Sequence, residues 1–138
     1  MKRQAETRDA VGDYRSMSTS RPLAVLAEDE AVIRMEAAAM LAALGFEVLE
    51  AEHADDALRY LEAHGGAALL YTDVNMPGSM DGCDLAHVVV TRWPETKIIV
   101  CSGCLPEEAA LLPDCAHFIE KPCAERLVRK ALKALQRH

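Results

Sequence analysis

The sequence predicts an α/β fold, a parallel sheet covered on both faces by helices. Two observations carry this. Short aliphatic runs alternate regularly with segments of helical apolar spacing, five of each, and the interior runs are apolar on every residue rather than every second one. Hydrophobic residues make up 51% of the 138-residue chain and aromatics only 4%, so the core is built from Ala, Leu, Val, Ile and Met. The length suits one domain.

Residues 1–20 mix charges with Ser, Thr and Gly without apolar period and are expected to form a disordered arm, leaving a domain over 21–138. Leu23 to Ala27 is the first strand. Val32, Ile33, Met40, Leu41 and Leu44 then recur at helical spacing up to Gly45, read as a helix stop. Phe46 to Ala51 alternates as a second strand with glutamates on one face. Asp55 and Asp56 open a second helix, carrying Ala57, Leu58 and Leu61, which His64-Gly65-Gly66 breaks.

Ala67 to Thr72 is the third strand. Asp81 is placed to cap a helix bearing Leu85, Ala86, Val88 and Val89, which Pro94 stops, and Lys97 to Cys101 follows as the fourth strand. Pro106 suits a first helical turn and Pro113 closes that helix early. His117 to Ile119 is a brief fifth strand, and Ala124, Leu127, Val128, Ala131 and Leu135 stripe a final helix.

Charge and apolar run lengths exclude some functions. A net charge of −7 repels nucleic acid phosphates, so direct nucleic-acid binding is not expected. No apolar run is long enough to cross a bilayer and no apolar segment follows the N-terminal charges, which predicts a cytoplasmic protein without membrane insertion. The odd cysteine count, at 83, 101, 104, 115 and 123, fits a reducing compartment better than a disulfide framework. Cys101-Ser-Gly-Cys104 reads as C-x-x-C, a redox pair or half a zinc site with His117 and Cys123 as further ligands. No second C-x-x-C exists, and Cys101 ends the run Ile98-Ile99-Val100, so small core and loop residues are the preferred reading.

In sheets of this class, function gathers beyond the carboxyl ends of the strands. The first strand runs into Glu28-Asp29-Glu30 and the third into Asp73. An acidic helix start accounts for Glu30, and a turn start accounts for Asp73 taken alone. If strands one and three are neighbours, however, Glu28, Asp29 and Asp73 converge, and three like charges repel unless a cation sits among them. Oxygen ligands with room for water suit Mg²⁺. Ser102 follows the fourth strand and Lys121-Pro122 the fifth. A carboxylate nucleophile, a divalent metal, a hydroxyl and an ammonium are what phosphoryl transfer to a carboxylate requires.

Four segments, V-L-A-E-D-E at 25–30, D-V-N-M-P-G-S-M-D-G at 73–82, I-I-V-C-S-G at 98–103 and F-I-E-K-P at 118–122, stand in order at the ends of strands one, three, four and five. With them the sequence resembles the receiver domain of bacterial two-component response regulators, over about residues 22–137. The resemblance implies a flavodoxin-like doubly wound (βα)5 fold, sheet order 2-1-3-4-5, and a stand-alone regulator or phosphorelay intermediate rather than an enzyme. It implies that Asp73 accepts phosphate from a sensor histidine kinase or histidine phosphotransfer protein. Asp29 and Asp73 would supply carboxylate oxygens to Mg²⁺ and Asn75 its backbone carbonyl, with Glu28 completing the acidic pocket. Ser102 would be the hydroxyl that swings to the phosphoryl group, Lys121 its pairing cation, and Phe118 the switch aromatic. Output would pass by protein contacts to a downstream target.

Three departures from the family pattern are visible. Gly78-Ser79-Met80 reads as a small insertion, Cys123 stands where an aromatic is usual, and Ser102 to Phe118 is short by about one helical turn. Two rival readings remain. A haloacid-dehalogenase-like phosphatase also uses a strand-end Asp with Mg²⁺, but it needs a second Asp as general acid where this chain has Asn75. A receiver-shaped binding module that is never phosphorylated would have no need of the acids, Ser102 and Lys121.

Overall fold

Five strands, β1 Leu23–Ala27, β2 Glu47–Ala51, β3 Leu69–Thr72, β4 Lys97–Ser102 and β5 His117–Glu120, pair in parallel in the order β2-β1-β3-β4-β5. This is a computed structural model, and it describes residues 21–103, 111–121 and 124–136. Among the described residues four helices accompany the strands: α1 Ala31–Ala43, α2 Ala54–His64, α3 Gly82–Arg92 and α4 Glu125–Gln136. The expected arm lies outside the described residues.

Because successive strand residues point to opposite faces, each interior strand feeds two cores. Val25, Ala27, Leu70, Ile98 and Val100 pack with Leu61 of α2 and Leu85 and Val89 of α3. Ala24, Leu26, Leu69, Tyr71, Ile99 and Cys101 pack with Leu41 of α1 and Val128 of α4. Both faces are buried, which is why these strands read as unbroken apolar runs.

Local signals set the helix ends with mixed fidelity. Asp81 caps α3 as expected, in a reciprocal box: Asp84 N–H donates to Asp81 Oδ1 at 2.9 Å and Asp81 N–H to Asp84 Oδ2 at 3.2 Å. Gly65 ends α2 in the left-handed conformation. Gly45 stops α1 as expected: it follows the capping residue of the helix, Leu44, with a φ of 105°, its N–H donates to Ala42 O at 3.0 Å, and the Phe46 N–H donates to Leu41 O at 3.1 Å. Glu30 precedes α1 without a side-chain cap, so its acidity is not spent as a capping bond.

Strand ends shift by a residue or two. Phe46 is held by its N–H on Leu41 O and precedes β2, while Ala67 and Ala68 precede β3 and bond Thr96 and Leu23. Strand β4 extends through Ser102 and β5 through Glu120, because these two residues pair across the strands. Of the short fourth helix expected from Pro106 to Pro113, residues 104–110 lie outside the described residues, and residues 111–116 form turns rather than helix.

One cysteine reading is corrected. Cys101 is buried as expected, but its sulfur is disulfide-bonded, with a partner outside the described residues. Cys83 and Cys115 are free.

Candidate functional site

The β1–β3 adjacency brings two strand ends together. Asp73 N–H donates to Ala27 O at 3.1 Å and Glu28 N–H to Ala51 O at 3.0 Å, so both residues continue the sheet ladder one step past the strands. Their side chains are therefore carried on rigid backbone. Glu28 is 4% exposed and Asp73 9%, an unusual depth for carboxylates. Oxygen atoms of Glu28, Asp29 and Asp73 all lie within 4.8 Å of one another.

One cation answers two of these acids. Lys121, just past β5, donates from Nζ to Asp73 Oδ2 at 2.9 Å and to Glu28 Oε1 at 3.2 Å. Its backbone N–H is tied to Ser102 O at 2.9 Å, which couples the lysine to the end of β4. Ser102 is itself 1% exposed. Asn75 meets the cluster through its N–H, which donates to Asp73 Oδ1 at 3.3 Å. Phe118 stands opposite Val100 and packs, half-buried, against the α2–α3 core.

The sequence reading missed four participants. Arg34 donates from Nη1 to Glu28 O at 2.8 Å and pairs through Nε with Glu50 at 3.5 Å, which pins the acidic turn to α1 and β2. Thr72 Oγ1 donates to Asp73 O at 2.8 Å. Gly82 lies so close to Asp73 O that any Cβ there would meet it. Tyr71 lies beneath the acids on the α1–α4 face. Of these, only Gly82 left a sequence signal, the Asp-Gly pair at 81–82, and it was used only for its Asp.

These geometries coincide with a family pattern over most of the chain: the model of the response regulator receiver domain matches residues 24–133. The chain belongs to the response regulator receiver family of two-component signalling. Chemotaxis protein CheY1 of Helicobacter pylori is 32% identical over 117 residues, covering 80% of this chain and 94% of the relative. A response regulator receiver protein of Sinorhizobium medicae superposes with a TM-score of 0.78 at 24% identity, over 88% of this chain and 98% of that one. A receiver domain protein of Methanospirillum hungatei gives 0.74 at 25% identity, over 86% and 96%. The flavodoxin-like sheet order expected from the resemblance is the one observed.

Within this receiver, burial pushes the Glu28 carboxyl above its ordinary range. The Glu30 N–H on Oε2 at 3.0 Å pulls it back, Asp73 pushes it up again and Lys121 lowers it, with the net direction upward. For Lys121, burial alone would lower the ammonium, but the bond and charge of Asp73, then those of Glu28, outweigh it and the net shift is upward. Burial, followed by the charges of Glu28 and Asp73, pushes the Tyr71 phenol up to about 12.

Lys121 therefore stays charged at neutral pH. A lysine raised on folding stabilises the native state fully below its unfolded value, and that contribution is lost as pH climbs through the folded one. Lys121→Met leaves Glu28 and Asp73 without their ammonium. It is expected to cost about 3 kcal/mol at pH 7, the lower end for a broken buried pair because the lysine side chain keeps 26% exposure. Urea denaturation checks this: the deficit should shrink above the ordinary lysine range, where the parent loses the same contribution, and equal stability at pH 7 would show that the pair contributes nothing.

Proposed function

We propose that this receiver accepts a phosphoryl group on Asp73 from a phosphohistidine of a sensor histidine kinase or histidine phosphotransfer protein. The supporting observation is Lys121 Nζ at 2.9 Å from Asp73 Oδ2 within a cluster of three carboxylates. A carboxylate oxygen of Asp73 attacks phosphorus, the phosphorus–nitrogen bond breaks, the imidazole leaves and takes a proton from solvent, and an acyl phosphate remains. The sheet holds the nucleophile in place, so little reorganisation is required. Lys121, already oriented, offers its N–H bonds to the phosphoryl oxygens, and Ser102 supplies a hydroxyl from the neighbouring strand.

The donor set fits Mg²⁺: carboxylate oxygens only, closely grouped, with Asp29 toward solvent. Asp29 and Asp73 would hold the ion, joined by the Asn75 backbone carbonyl, with Glu28 adding charge. When bound, it supplies positive charge that offsets the transferring phosphoryl oxygens. Phe118 beside Val100 is the residue whose inward turn would report the event to a downstream protein target.

Asn75 at the position where a phosphatase of the rival class needs an Asp favours a phospho-acceptor over a turnover enzyme. Incubation with Mg²⁺ and acetyl phosphate, followed by intact-mass measurement, is expected to show one added phosphoryl group per chain, and none when a chelator is present from the start. No added mass with either acetyl phosphate or a phosphorylated kinase would leave the non-phosphorylated module as the reading.

Asp29→Ala separates metal binding from stability. Removing one of three converging acids relieves repulsion, so the metal-free variant is expected to be as stable as the parent or more so, by about 1 kcal/mol at most. Its calorimetric Mg²⁺ titration should be flat. A titration as strong as the parent's would remove Asp29 from the ligand set.

A further inference from the structure

The α1–α4 face of the sheet is incompletely filled. A cleft of about 580 Å³ runs between α1 and α4, floored by Leu26 and Tyr71, walled by Ala37 and Met40, and flanked by Glu36 and Glu125. Its upper end is bounded by Glu28, Asp73 and Lys121. The size and the mix of an apolar floor with a few polar groups fall within the range of small-molecule sites.

A second observation points to an occupant. Tyr71 is 6% exposed and lines this cleft, yet among the described residues its phenol has no hydrogen-bond partner. A buried hydroxyl is normally satisfied, and phenylalanine would fill the same space without a polar atom. The charge of the lining selects the chemistry: among the described residues four acids, Glu28, Glu36, Asp73 and Glu125, face a single base, Lys121. An anionic ligand is disfavoured and a cationic one attracted.

We propose that this cleft is a binding site for a small organic cation. Its apolar body rests on Leu26, Ala37 and Met40, and its protonated nitrogen sits among the acids, donating one N–H to the Tyr71 oxygen. Such an occupant lies directly beside the Asp73 carboxylate. The binding itself does not rest on phosphorylation, and the test is run without a phosphodonor.

Phenethylamine serves as the probe, with 2-phenylethanol and 3-phenylpropionate as neutral and anionic counterparts of similar shape. Chemical-shift titration of the intact protein is expected to show phenethylamine perturbing Leu26, Met40 and Tyr71, the alcohol binding more weakly, and the carboxylate not binding. Tyr71→Phe should weaken the amine by about fivefold, the worth of one net hydrogen bond, and Ala37→Phe should block it. Glu36 is exposed, so Glu36→Gln preserves the fold and should weaken binding and flatten its salt dependence. No perturbation of the cleft residues by the amine overturns the proposal. So does binding that is unchanged in Glu36→Gln and Tyr71→Phe, or equal binding of the carboxylate.

Discussion

Asp73→Asn is expected to abolish phosphoryl labelling by both acetyl phosphate and a phosphorylated kinase, while the fold persists. The amide matches the carboxylate in shape and keeps an oxygen for the Asn75 N–H, which reaches Asp73 Oδ1 at 3.3 Å. It lacks the anionic oxygen that attacks phosphorus in the proposed mechanism. Among the described residues no other carboxylate is placed to substitute. Glu28 is 4% exposed and already engaged by the Glu30 N–H and by Lys121, and the lysine that would steady the product pairs with Glu28 and Asp73 rather than with Asp29. The measurement is intact mass followed by peptide mapping. Unchanged incorporation in Asp73→Asn would move the acceptor elsewhere and with it the proposed mechanism.

Gly82→Ala is expected to produce the largest loss of stability among single-methyl additions to this protein. A Cβ at Gly82 would lie 1.7 Å from Asp73 O, 2.7 Å from its carbonyl carbon and 3.0 Å from Val74 Cα. These are backbone atoms, and no side-chain rotation relieves the clash. Either the Asp73 turn or the start of α3 has to move, breaking the 2.8 Å bond from Gly82 N–H to Val74 O. The cost is about 3 kcal/mol, the upper end for overpacking, and labelling of Asp73 should fall even well below the unfolding midpoint. Gly78→Ala is the control. Its Cβ meets nothing within 4 Å, and only the φ of +118° is strained, for roughly 1–2 kcal/mol. Urea denaturation of both variants decides: equal losses would mean that the close approach at Gly82 is relieved cheaply.

Much of the site was legible because the fold writes its chemistry at strand ends. Each of Glu28, Asp73, Ser102 and Lys121 closes or follows an aliphatic run, and a run that stops at a polar residue marks where backbone leaves the sheet. The helix frames were legible for the same reason: Asp81 and Gly65 act through bonds within a few residues of themselves. Where the signal was local and ambiguous, as at Phe46 and Ala67, the structure moved the boundary by a residue or two.

By itself, then, the sequence determined the alternation of five strands with helices, the burial of both sheet faces and the identity of the charged residues, since periodicity and capping are short-range properties of the chain. Which strands are neighbours came to the sequence reading only through resemblance. Tertiary structure decided what depends on approach between distant segments: Lys121 bridging Glu28 and Asp73 across 93 and 48 residues, and Arg34 holding the Glu28 carbonyl. It also decided the Gly82 contact and the cleft that leaves the Tyr71 hydroxyl without a protein partner among the described residues. Such contacts are set by the three-dimensional packing of helices on the sheet, and no period along the chain records the distance between residues it does not bring near in sequence.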